Sequence, residues 1–156
     1  MNAYQYAMEM EKEGEAFYRE LAEKTDNDGL KNIFLNLADE EVKHYKMFEE
    51  LAKHDGSVVI PKMNVEKDAK AIFAEMKASG KKIDFSKDQV ALYKKAMESE
   101  EKAYALYVEK ANEVQSPEDK EIFLKIADEE KKHHKLLENI VEFVAEPDSW
   151  LENAEF

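Results

Sequence analysis

The chain has 156 residues, a length that suits one domain with a real hydrophobic core. Lys and Arg total 23 against 36 Asp and Glu, giving a net charge of −13 with Arg19 as the single arginine. That balance argues against nucleic acid and against an anionic membrane as partners. The absence of cysteine excludes disulfides, thiolate nucleophiles, iron–sulfur clusters and cysteine-bound zinc.

Helical periodicity runs from about Ala3 to Lys24 and breaks at the Thr25-Asp26-Asn27-Asp28-Gly29 cluster. A second periodic stretch runs from about Leu30 to His54 and ends at Asp55-Gly56. Val58 to Pro61 reads as extended or loop, and Asn64 to Ala78 as a short helix closed by Gly80. Ser86 and Gln89 have capping-box spacing and open a third long helix that continues to about Val114. Ser116-Pro117-Glu118-Asp119 supplies an N-cap, a first-turn proline and first-turn acids for a fourth, ending near Ala145. The tail 146–156 brings Trp150, Leu151 and Phe156, expected as a packing or dimer element.

Short links after helices one and three imply antiparallel hairpins, whereas the segment 55–86 is long enough to traverse a bundle. A 25-residue helix is about 38 Å long. The expected fold is all-α: a four-helix bundle with a long crossover between helices two and three, forming a single domain over 1–156. No stretch has the form of a signal peptide or approaches the roughly 20 apolar residues of a membrane span. A soluble, cytoplasmic protein is the expectation.

The sequence repeats at an offset of 89. Asn32 to Leu51 reads NIFLNLADEEVKHYKMFEEL and Glu121 to Ile140 reads EIFLKIADEEKKHHKLLENI, with 11 of 20 positions identical. The same offset pairs Tyr4 with Tyr93, Glu11 with Glu100 and Tyr18 with Tyr107, so segments 3–54 and 92–143 are two copies of one hairpin.

The repeated polar residues fall on the apolar stripes. Helix two reads Phe34, Leu37, Glu41, His44, Phe48, Leu51, and helix four reads Phe123, Ile126, Glu130, His133, Leu137, Ile140. Helix one reads Tyr4, Ala7, Glu11, Gly14, Tyr18, Leu21, and helix three reads Tyr93, Ala96, Glu100, Ala103, Tyr107. Four carboxylates in one core repel and lose hydration at several kcal/mol each, and unpaired they protonate. No Lys or Arg stands beside them on the stripes. Two divalent cations balance four carboxylates and two neutral imidazoles. One Glu from each of two helices plus Glu-x-x-His from each of the other two is the ligand pattern of ferritin-like dinuclear sites.

On these residues the chain resembles the rubrerythrin-like branch of the ferritin-like superfamily. The resemblance is carried by Glu11 and Tyr18 in EKEGEAFY, Glu41 and His44 in IFLNLADEEVKH, Glu100 and Tyr107 in EEKAYALY, and Glu130 and His133 in IFLKIADEEKKH. It implies two iron ions held by Glu11, Glu41, His44, Glu100, Glu130 and His133, a ligand set that manganese or zinc also suits. It further implies reduction of hydrogen peroxide or dioxygen, iron cycling between ferrous and ferric states, and a homodimer. Other family members oxidise and store iron. Two departures stand out. Rubrerythrins carry a further Glu three residues after the third-helix ligand, where this chain has Ala103, the repeat mate of Gly14. They also carry a cysteine-bound rubredoxin module, so here a separate rubredoxin-like donor would supply electrons.

Three functions remain open from the sequence: a peroxide or dioxygen reductase protecting against oxidative damage, an iron oxidation, storage or transfer protein, and a bundle with a structural metal. Tyr18 and Tyr107 either bond a bridging carboxylate, supply an electron, or are core tyrosines. Gly14 and Ala103 either leave room for a small oxidant or permit close packing, with packing the favoured reading. His54 and His134 read as surface residues. Asp39 and Asp128 either orient an imidazole on another helix or pair with lysines outside. Glu15, whose repeat mate is Tyr104, is not counted as a ligand.

Overall fold

Six helices form among residues 1–53, 63–80 and 85–153, the residues described by the computed structural model. Helix α1 (Ala3–Lys24) starts at a capping box in which Asn2 and Gln5 satisfy each other's backbone N–H groups. Helix α2 (Asp28–Lys53) starts where the Asn27 side chain accepts from Leu30 N at 2.9 Å. Helix α3 (Val65–Ser79) ends at Gly80, whose φ of 63° is the left-handed cap conformation that glycine adopts most cheaply. Helix α4 (Lys87–Ala111) carries the expected Ser86–Gln89 capping box. Helix α5 (Pro117–Ala145) has Ser116 as its cap and proline in its first turn, and α6 (Pro147–Asn153) follows directly.

Three boundaries differ from the sequence reading. Helix α2 begins at Asp28 rather than Leu30, because Asn27 already supplies the cap. Helix α4 stops at Ala111 rather than Val114. There the N–H of Asn112 reaches Glu109 O and the N–H of Glu113 reaches Lys110 O, tightening the last turn. Part of the tail is helical, as α6. His54, the Val58–Pro61 stretch and Phe156 lie outside the described residues.

Helix α1 packs along α2 and α4 along α5, and the two hairpins meet through α1 with α4 and α2 with α5. This is the ferritin-like helical bundle. Helix α3, inside the crossover, lies on α2 and α6. Trp150 of α6 packs in tilted ring contacts 4.8 Å from Phe73 of α3 and 5.5 Å from Phe143 of α5, pinning both short helices to the bundle. Among the described residues, no helix is long and apolar enough to cross a membrane.

The core is divided in two. One apolar cluster holds Tyr18, Ala38, Ala96 and Leu136, and the other holds Ala7, Met47, Ala103 and Ala127. Every long helix passes from one cluster to the other, and the residues at the passage are Glu11, Glu41 with His44, Glu100, and Glu130 with His133. The repeat thus places one polar layer at matched heights across the bundle. Phe143 anchors the larger cluster, fully buried with Phe73, Phe85 and Trp150 rings around it at 5.4, 5.4 and 5.5 Å. Phe143→Ala is expected to cost about 3–5 kcal/mol and to lower the melting temperature by roughly 10 °C. A calorimetric shift below a few degrees would show that this cluster contributes little.

Candidate metal centre

The six stripe residues named from the sequence converge in that layer, all nearly or fully buried. They form two clusters, Glu11–Glu41–His44–Glu130 and Glu41–Glu100–Glu130–His133, and within each the ligand atoms lie within 4.8 Å of one another. Glu41 and Glu130 belong to both. His44 Nδ1 lies 2.9 Å from Glu130 Oε1 and 3.4 Å from Glu11 Oε1. His133 Nδ1 lies 3.3 Å from Glu41, 3.5 Å from Glu100 and 3.6 Å from Glu130. Both imidazoles therefore present Nδ1 to the centre, and their rings stack at 5.9 Å.

Burial pushes the Glu11, Glu41 and Glu100 carboxyls well above the usual range, with the neighbouring carboxylates adding to the rise. Burial also opposes charge on Glu130, but the neighbouring Glu100 carboxyl and the His133 and His44 imidazoles outweigh it and hold this carboxyl well below the usual range. For both imidazoles burial alone lowers basicity, yet the surrounding carboxylates raise it. The layer is thus short of positive charge. Among the described residues, one oxygen of each of the four glutamates and Nδ1 of His133 lack a hydrogen-bond partner despite being buried. Buried polar atoms are seldom left so. The residues fit a dinuclear site: two divalent cations would balance the four carboxylates and meet these five atoms, with Glu40 Oε2, His44 Nε2 and His134 Nε2 the other buried atoms without a hydrogen-bond partner among the described residues.

Two tyrosines tie the halves crosswise. Tyr18 of α1 donates to Glu100 of α4, and Tyr107 of α4 donates to Glu11 Oε1 of α1 at 2.7 Å. They bond the carboxylates belonging to one cluster each, rather than the shared pair. Burial and the adjacent carboxylates push both hydroxyls up, which keeps them neutral donors.

Gly14 and Ala103 do more than admit close packing. A Cβ at Gly14 would lie 2.7 Å from Glu41 Oε2, so its absence makes room for a shared carboxylate. Both residues line a cavity of about 200 Å³ between α1 and α4, which reaches Glu41, Glu100 and Glu130. Asp39 and Asp128 lie outside the layer, paired with Arg19 at 3.2 Å and Lys132 at 3.7 Å. Glu15 also pairs with Arg19, at 2.8 Å. His134 is part-buried rather than fully exposed, 3.1 Å from Glu101.

One residue at the centre escaped the sequence reading. Glu40 is buried, with Oε1 3.3 Å from His133 Nε2. Helical periodicity carries no signal for it, because it lies about 100° round the helix from Glu41 in a motif that the other half repeats.

The family model described as Rubrerythrin matches residues 3–141. Comparison with curated proteins and with solved structures gives no match.

Proposed function

The chain belongs to the rubrerythrin family, and from that premise we propose a dinuclear iron oxidoreductase that reduces hydrogen peroxide or dioxygen with electrons from a separate donor. The observation that carries this reading is the pair of buried clusters sharing Glu41 and Glu130. In it Glu11 and His44 would hold one ion and Glu100 and His133 the other, with Glu41 and Glu130 available to both. Bound iron supplies redox electrons and Lewis acidity at the oxidant. Tyr18 and Tyr107 fix the two outer carboxylates by hydrogen bonds, and His44 bonds Glu130 of the shared pair. The α1–α4 cavity gives a small oxidant a route to the layer between Gly14 and Ala103. A purely structural metal needs no such approach. Peroxide reduction consumes two electrons and two protons and yields two waters. With no cysteine in the chain, the electrons come from another redox centre. A homodimer in the cytoplasm completes the proposal, on the resemblance alone.

The test is anaerobic stopped-flow mixing of the ferrous, iron-loaded protein with peroxide and, separately, with dioxygen. Rapid single-turnover reoxidation, with about two irons retained per chain, is expected. Slow reoxidation with uptake of many irons per chain would replace this reading with storage.

A further inference from the structure

Both halves share the Ala-Asp-Glu-Glu-x-Lys-His stretch at the layer, yet the second nitrogens of their histidines meet different surroundings. His133 Nε2 lies 3.3 Å from Glu40 Oε1, and Glu40 is only 3% exposed. His44 Nε2 is equally buried but has no hydrogen-bond partner among the described residues. The repeat mate of Glu40 is Glu129, which could have played the reciprocal part. Instead its side chain is 19% exposed, against 4% for that of Glu40, and it pairs with Lys132 at 3.3 Å.

We infer that Glu40 is a positioning residue that makes the two metal positions inequivalent, the one bounded by Glu100 and His133 binding its ion more tightly. The inference rests on the dinuclear reading above. An imidazole that ligates through Nδ1 must carry its proton on Nε2, and that N–H needs an acceptor when buried. Glu40 supplies a carboxylate acceptor to His133. This fixes the tautomer and ring orientation and makes Nδ1 a better donor to the cation. His44 has to adopt the same tautomer with no acceptor for its buried N–H among the described residues, which costs free energy at the other position. A duplicated hairpin thus gives a centre with a strong and a weak half. Filling is ordered: the position beside His133 first, the position beside His44 second.

The test is anaerobic titration of the metal-free protein with Co²⁺, read by calorimetry and by the visible cobalt bands. Wild-type protein should take up two equivalents in two resolved steps. Glu40→Leu should weaken the tight step by roughly 10–100-fold and leave the weak one within about twofold, so that the steps merge. Glu40→Gln, whose amide oxygen still accepts the hydrogen bond, should fall between. Glu129→Leu should change neither step. In the zinc-loaded protein, the downfield proton resonance of the His133 Nε2–H should vanish in Glu40→Leu. Should Glu40→Leu fail to fold by circular dichroism, Glu40→Gln must still weaken one step alone. Unchanged steps, equal weakening of both, or the same loss in Glu129→Leu would overturn the assignment of Glu40 while leaving the dinuclear centre standing. Wild-type protein binding fewer than two equivalents would remove the dinuclear reading itself, and this inference with it.

Discussion

Glu130→Ala and Glu41→Ala are each expected to abolish binuclear metal binding, whereas Glu11→Ala should lose one ion and keep the other. The difference follows from the arrangement of the clusters: Glu41 and Glu130 belong to both, and Glu11 to one. Removing a shared carboxylate takes a ligand and a negative charge from both positions at once. Loss of an outer hydrogen-bond partner alone typically weakens a metal by 10–100-fold, so losing a shared ligand should cost more than about 100-fold. The metal-to-protein ratio after gel filtration in the presence of a competing chelator measures it. A Glu41→Ala or Glu130→Ala protein that still carries two ions would refute the ligand assignment.

Metal removal should lower the melting temperature by at least about 10 °C, and the gap between loaded and metal-free protein should widen as pH rises. One ion at about a thousandfold excess over its dissociation constant stabilises by roughly 4 kcal/mol, which at about 2–4 °C per kcal/mol for a chain of this size is roughly 8–16 °C, and the second ion adds to it. The sign of the pH dependence comes from the raised groups. Glu11, Glu41 and Glu100 hold protons more tightly in the folded metal-free protein than in the unfolded chain. Their contribution to stability is therefore present below the ordinary carboxyl pKa of about 4.3 and is lost as pH rises through their raised folded values. The raised imidazoles act in the same direction above their ordinary value. Glu130, held low, acts oppositely and loses its contribution as pH falls, but it is one group against five. Cations need the carboxylates ionised and the imidazoles neutral, so binding releases protons and strengthens with pH. Thermal melts with and without Mn²⁺ between pH 6 and 8 provide the check. A gap that is constant or narrows with pH would contradict this account.

Much of the site is legible in the sequence because a helical stripe is a local property. Glu11, Glu41, His44, Glu100, Glu130 and His133 are each spaced three or four residues from apolar neighbours, so their burial follows from periodicity alone. The internal repeat added that the four helices carry their polar residues at one height. Boundaries were less legible where side chains compete with the helix. Asn27 turned out to be a cap rather than part of a longer break, and the carbonyls of Glu109 and Lys110 drew in the N–H groups that follow α4.

The sequence by itself determined the residue types of the polar layer, their place on the buried faces and the two-copy plan, since all three follow from residue chemistry and a 3.6-residue period. Only the tertiary structure decided how the halves engage. It made Glu41 and Glu130 the shared carboxylates, sent Tyr18 to Glu100 and Tyr107 to Glu11, and opened the cavity beside Gly14 and Ala103. It also turned Glu40 inward while Glu129, in an almost identical stretch of sequence, went to Lys132. The physical reason is common to all of these. They depend on the distance and rotation between helices that are far apart in the chain, and the Ala-Asp-Glu-Glu-x-Lys-His stretch common to both halves does not by itself encode which neighbours each copy meets.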